Sequence, residues 1–471
     1  MHRTLFITIY SVLLVARSSS AVTITGSDWN VYFNLPDQSI STNSATPDEY
    51  AIRDAFVARI NALQSNQWAA LSTYTFSVSN VVTGGAGPIV NAMSAALDRG
   101  AKVSFIADNG IDTVTQFGGS NSLSSLAARP TNPLTLSQCA TSSGIMHDKL
   151  GLFDYGPSNR WIMVASWNFT AGASSQQWNI GLEIRNEQMF AAYTNEAAQF
   201  LAGHFHGDPL KSHLHDGSTF LLTGAWTNGW VRFCPCTNAT DGGNNAQRDI
   251  TNRIAHAQQE IVFALNDLTL NLVATQLVTA VNRGVMVGGV MPKSDITGVS
   301  ASTYSFLTNS ANYSTTNRVN FWTAFSRADG STTDSNQLDL VHCKWMAIDP
   351  FGPNPWLIHG SANWSVSALL TTTTSGNDEN IAFIPHRDIA RIFYSHFKRI
   401  TGAFQSRSDF WLDSNTNGFG LWLTDTNAYS IEHTFAATGV WNPAAPASNF
   451  IGRIAITNAA ATNEFFRARR N

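Results

Sequence analysis

Charge is what this chain of 471 residues has least of. Asp, Glu, Lys and Arg make up only 13% of it, against 44% hydrophobic residues. Its polarity comes from Ser, Thr, Asn and Gly instead, a composition common in secreted proteins. The formal charge is −4, and no basic tract is present, which argues against a protein that coats nucleic acid along its length and leaves room only for a local basic funnel. Long apolar runs are also missing. The one from Leu5 to Ala16 follows His2 and Arg3 and precedes Ser19-Ser20-Ala21, which reads as a cleaved leader over residues 1–21 rather than a membrane span. Its removal takes away two arginines and no acids, moving the formal charge from −4 to −6. Cysteine is scarce too, with Cys139, Cys234, Cys236 and Cys343. None of them forms a Cys-x-x-Cys pair, so that zinc or redox motif is excluded, while one or two disulfides stay open in an oxidising compartment.

What the chain does have is one short pattern, twice. His147-Asp148-Lys149 runs through four residues to Asp154, and His342-Cys343-Lys344 does the same to Asp349. Each is followed by a turn, a second apolar run and a polar group: Ser166-Trp167-Asn168 in one copy, Gly360-Ser361-Ala362-Asn363 in the other. Alternate residues of a strand share a face, so each His and its Lys are expected side by side, with Asp148 and Cys343 turned away. An imidazole, an ammonium, a hydroxyl and an amide suit a phosphodiester. The ammonium and amide bind non-bridging oxygens and stabilise a pentavalent transition state. A neutral imidazole attacks phosphorus, and a protonated one gives the leaving oxygen its proton.

The doubled His-x-Lys-x4-Asp with its trailing Ser-x-Asn resembles the phospholipase D superfamily. The resemblance implies two duplicated α/β sandwich domains, each a mixed sheet flanked by helices, related by a pseudo-two-fold with one active site at their interface. It implies His147 and His342 as the reacting pair, with His147 as the nucleophile, and no metal or other cofactor. Lys149, Lys344, Asn168 and Asn363 take the phosphate-binding positions, and Ser166 and Ser361, the signature hydroxyls, are expected to bind phosphate with them. Glu379, in Asn377-Asp378-Glu379-Asn380, is the expected orienting acid. Aligning Asn179-Ile180-Gly181 on Asn380-Ile381-Ala382 puts Trp178 where Glu379 lies, and Glu183 beyond it. The first half thus lacks an evident acid, and Ala165 replaces Gly360. Asp154 and Asp349 are expected to hold the turns that follow their strands. The implied activity is a phosphodiester hydrolase on phospholipid head groups, in a secreted or lysosomal lumen. A single-strand nuclease and a non-catalytic relic are the alternatives. No stable protein partner is expected.

The repeat extends outward. Helices are expected over 48–65, 88–98 and 195–205 in the first half and over 249–259, 270–282 and 388–397 in the second, with strands at 74–78, 102–107, 261–265 and 285–290. This gives a first half over 22–206, a connecting segment over 207–245 and a second half over 246–471 whose tail is expected to pack upon it. Two long polar loops, 109–144 and 294–338, precede the signatures and are expected to shape the entrance. His204, His206, His213 and His215 read as a surface cluster at a helix end rather than a metal site. Of the sequons at Asn168, Asn238, Asn312 and Asn363, the signature asparagines should stay unglycosylated.

Overall fold

The computed structural model describes residues 8–9, 12–14, 23–34, 50–77, 85–113, 122–140, 143–175, 177–236, 245–317, 319–323, 340–371, 375–405, 410–415, 418–423, 429–434, 442–447, 452–458 and 464–470. Most of the expected leader, the sequon Asn238 and parts of both long loops lie outside these residues. The chain forms two compact units, residues 25–393 and residues 1–24 with 394–471. Among the described residues the second holds two four-stranded sheets, and each takes one strand, Thr8–Ile9 or Val12–Leu14, from the expected leader, a pairing that cleavage after residue 21 would remove. One runs Thr8–Ile9, Glu464–Arg470, Tyr429–Thr434, Asn442–Ala447, and the other Val12–Leu14, Gly452–Asn458, Gly418–Leu423, Phe410–Asn415.

The first unit contains the duplication. Its first sheet runs Trp29–Asn34, Gln177–Arg185, Arg160–Ala165, Leu150–Asp154, Trp68–Thr73, Lys102–Ala107, Thr135–Gln138. Its second runs Gly229–Cys234, Glu379–Ile384, Trp356–Gly360, Lys344–Ile348, Glu260–Leu265, Met286–Met291, Asn320–Thr323. Both are mixed, with the last three strands parallel and the rest antiparallel. Helices Ala51–Asn61 and Gly87–Asp98 share a buried core with the first sheet, and Ala246–Ala255 and Asn271–Asn282 do so with the second. The duplicated α/β fold is therefore present.

Local chemistry explains the matching corners. Gly100 and Gly284 take φ of 85° and 94° after their helices. There the amides of Ala101 and Val285 reach back to the carbonyls of Ala96 and Ala280 at 3.0 Å each. Only glycine adopts this left-handed turn without cost.

Four expected elements are displaced, among them the helix expected over 249–259, which is Ala246–Ala255. The strand expected over 74–78 is Trp68–Thr73. It is buried along almost its whole length, so its Ala-rich sequence shows no alternation. The helix expected over 195–205 is Glu187–Leu201, started by Asn186, whose side chain accepts from the Met189 amide at 2.9 Å. The strand expected over 285–290 shifts one residue, to Met286–Met291. No helix among the described residues is long and apolar enough to cross a membrane.

Candidate active site

The halves clasp each other where the signatures begin. Leu340–Val341 pairs in parallel with Gln177-Trp178 of the other half, and Met146 bridges Asp378 reciprocally. The His147 amide donates to the Asp378 carbonyl at 2.9 Å, and the His342 amide to the Trp178 carbonyl at 3.0 Å. Each catalytic-type histidine thus sits just ahead of its own strand, fixed by the first residues of a strand from the opposite half. The amides of Ser166 and Ser361 donate to Ile180 and Asn380, which makes Asn179 the counterpart of Glu379 and Trp178 the counterpart of Asp378. The alignment read from sequence was one residue out.

This register decides what holds each imidazole. His147 Nδ1 lies 2.6 Å from Glu379 Oε1. His342 Nδ1 lies 2.9 Å from the Ser166 carbonyl and 3.1 Å from Asn179 Oδ1. These partners are acceptors, so each Nδ1 carries the hydrogen and each Nε2 keeps its lone pair. Neither Nε2 has a partner among the described residues. The orienting groups cross between halves: Glu379 serves the first-half histidine, and Asn179 serves the second-half one. The missing acid is therefore missing at His342, where a carbonyl and an amide replace it. Sequence reasoning passed over Asn179, a polar residue near the start of the strand after the signature. Glu183 lies elsewhere, accepting from Asn30, Tyr32 and Arg59 within the first half.

Lys149 and Lys344 fold back so that each Nζ donates to the carbonyl of its own histidine, at 2.7 and 2.9 Å. Asn168 and Asn363 have no side-chain hydrogen bond among the described residues, which leaves their amides free for a ligand. Ser166 and Ser361 were expected to touch phosphate, and here the structure differs. Both are fully buried. Ser166 donates to Asn179 Oδ1 at 2.8 Å, and Ser361 to Glu379 Oε2 at 2.6 Å. They hold the residues that hold the histidines. Asp154 accepts from the Gly156 amide at 2.8 Å, and Asp349 from the amides of Gln258, Gln259 and Glu260 at 2.7–3.0 Å. Both stay at turns, away from the imidazoles.

Burial shapes the electrostatics. It pulls His147 and His342 well below the ordinary imidazole value, helped by the two lysine charges. His342 also feels His147, so the imidazoles share one field. Burial takes Lys344 down to about 8 and Lys149 well below the usual lysine range. It pushes Glu379 up to about 7, against the pull of Lys149 and the Ser361 hydrogen bond. Asp148, turned away from the pair, accepts from Asn380 Nδ2 at 2.7 Å. The Tyr74 ring stands edge-on to His147 at 5.0 Å and lies 5.6 Å from Lys149 Nζ.

The four cysteines are buried thiols, none of them in a disulfide among the described residues. Cys343 donates to the Trp178 carbonyl at 3.2 Å, and Cys234 Sγ lies 3.5 Å from Cys236 Sγ. The histidine cluster divides. His204 pairs with Asp208 near the surface at 2.9 Å, whereas His206 is buried against Cys139 and Asp378. Reading all four as surface groups was therefore wrong for His206, whose partner lies 172 residues away. Among the described residues no group of His, Cys, Asp and Glu is arranged to hold a metal.

The family described as "Cardiolipin synthase, PLD-like domain" matches residues 59–201 and 250–401. This chain belongs to it. Both PLD-like matches contain a full signature with its clasping strand. No curated protein sequence matches the PLD-like chain. Among solved structures it is similar to phosphatidylserine synthase from Haemophilus influenzae Rd KW20, at 10% identity and a TM-score of 0.48, over 74% of this chain and 83% of that one. It is similar to yeast tyrosyl-DNA phosphodiesterase at 10% identity and a TM-score of 0.43, over 76% and 90%. Polyphosphate kinase from Porphyromonas gingivalis matches at 12% identity and a TM-score of 0.47 over 78% of this chain, which spans about half the length of that protein.

Proposed function

We propose that this chain is a phosphodiesterase working through a phosphohistidine. One observation carries the reading: two imidazoles from opposite halves share a buried, lysine-flanked site, each with its Nδ1 hydrogen held by an acceptor from the partner half. His147 Nε2 attacks phosphorus. Its Nδ1 hydrogen faces the Glu379 carboxylate, which stabilises the positive charge that grows on the ring. His342 protonates the leaving oxygen and then takes a proton from the water that cleaves the phosphohistidine. Burial and the lysines disfavour its cation, and a bound phosphodiester anion favours it, so substrate arms its own general acid. Lys149, Lys344, Asn168 and Asn363 bind the non-bridging oxygens.

The substrate we favour is a phospholipid with a cationic head group, met in a secretory or lysosomal lumen. The net acidic chain supports it, as does Asp267, close enough to His147 and Lys344 to act on both charges. Tyr74 supports a second reading, because its ring beside His147 offers a surface on which a base of single-stranded nucleic acid stacks.

Purified protein is incubated with phosphatidylcholine vesicles and with single-stranded DNA, and free choline and nucleotides are measured. Choline release decides for the lipid reading, and nucleotide release for the nuclease. His147→Ala and His342→Ala should each abolish turnover, and unaltered rates in both would refute the mechanism. Amino-terminal sequencing of secreted protein should begin at Val22.

A further inference from the structure

Behind Glu379 lies a buried set of charges that the proposed mechanism does not use. Asp378 is fully buried. Its Oδ1 accepts from Lys211 Nζ and from the His206 backbone amide, both at 2.8 Å. Its Oδ2 lies 2.8 Å from His206 Nδ1. Lys211 Nζ also pairs with Glu196 at 2.6 Å and lies 4.5 Å from the Phe200 ring centroid. Cys139 Sγ closes the far side of His206, 3.1 Å from Nε2. His206 reaches this arrangement with φ of 56°, a left-handed conformation that a non-glycine residue holds only when its surroundings compel it.

We propose that His206 and Lys211 are positioning residues for the reaction: by clamping Asp378 they hold the adjoining Glu379 in register with the His147 imidazole. The proposal rests on the reading of His147 and His342 as the reacting pair.

Three observations carry it. Asp378 sits between the clamp and the site, because its carbonyl accepts the His147 amide and its amide donates to Ile145. A shift of Asp378 therefore moves both members of the 2.6 Å His147–Glu379 contact. Second, a buried ion pair is a poor device for stability, since well-packed apolar residues do as well or better. Third, the two halves differ here: Trp178, which carries no charge, stands opposite Asp378, so a buried carboxylate precedes the orienting residue only on the strand that bears Glu379. The clamp also offsets a concentration of carboxylates, as Glu379 and Asp378 both act on Asp148 and Lys211 opposes them there. Burial draws His206 down, but Asp378 and Cys139 carry it up to about 9, and the two carboxylates keep Lys211 charged.

The test uses the full chain and a chromogenic phosphodiester, bis-p-nitrophenyl phosphate. Lys211→Met should lower kcat roughly 10- to 100-fold with KM changed less than about two-fold. It should also shift or erase the far-downfield proton resonance of His147 Nδ1. His204→Ala, at a surface pair beside the same segment, should change neither. Lys211→Met combined with Glu196→Gln removes two opposite charges together and serves if the single variant does not fold. A folded variant with unchanged kcat and resonance overturns the proposal, as does one that raises KM alone. Failure of both variants to fold makes the clamp structural and overturns it too. An inactive wild-type protein would instead strike the phosphodiesterase reading, and the resonance would still judge the clamp.

Discussion

At the scale of single residues, the site is built by asymmetry. Glu379 brings a charge to His147, whereas His342 has two neutral acceptors, the Ser166 carbonyl and Asn179. Substitutions at the two places should therefore differ. Glu379→Gln is expected to reduce kcat on a chromogenic phosphodiester roughly 10- to 100-fold. Asn179→Ala should cost less than about ten-fold, because a carbonyl still holds the ring. A second residue-scale prediction concerns His359, fully buried with Nε2 3.2 Å from the Val164 carbonyl. Burial brings it down from 6.5 to about 4. Because the folded state binds this proton less readily than the unfolded chain, its contribution is complete above pH 6.5 and lost as the pH falls toward 4. The loss reaches about 3 kcal/mol. Melting temperatures at pH 7 and pH 4 should differ less in His359→Leu than in the wild type. The chemistry-bearing residues were legible from their spacing. What spacing hid was direction: the serines turn inward, and each orienting group serves the other half's histidine. A linear pattern contains no partner half, so neither fact was readable from it.

Elements explain an oddity of the signature. Ala165 stands where the second copy has Gly360. Ala165 faces Gly181 across the sheet, while Gly360 faces Ile381. The small residue has moved to the neighbouring strand. A Cβ on Gly360 would come 2.1 Å from the Asn380 carbonyl oxygen and 2.8 Å from the Ile381 Cα, which no side-chain rotation relieves. Gly360→Ala is therefore expected to lower stability by on the order of 3 kcal/mol, measured by denaturant unfolding. Element order and class were legible, since helix-period and strand-period patterns alternate twice. Register was not. The Trp68–Thr73 strand is masked by burial on both faces. The Glu187–Leu201 helix is hard to place because His204-Phe205 repeats His396-Phe397 in sequence but not in structure: the first helix ends before its pair and Arg387–Gln405 runs through the other.

For the molecule as a whole, the clasp at Met146–Asp378 and Val341–Trp178 makes the two halves one machine. Residues 25–393 should unfold in a single calorimetric transition rather than two, and a bound, unreactive phosphodiester analogue should raise that transition as one. Sequence showed the duplication and implied the shared site, but not that each copy completes the other. That exchange bears on why both copies reside on one chain. Were two identical single-copy proteins to associate, any change at the orienting position would appear at both rings simultaneously, and the imidazoles would stay interchangeable. Covalent joining breaks this equivalence. It lets one ring keep a carboxylate while the other takes Asn179, and so would give the proposed reaction a fixed direction across the dyad.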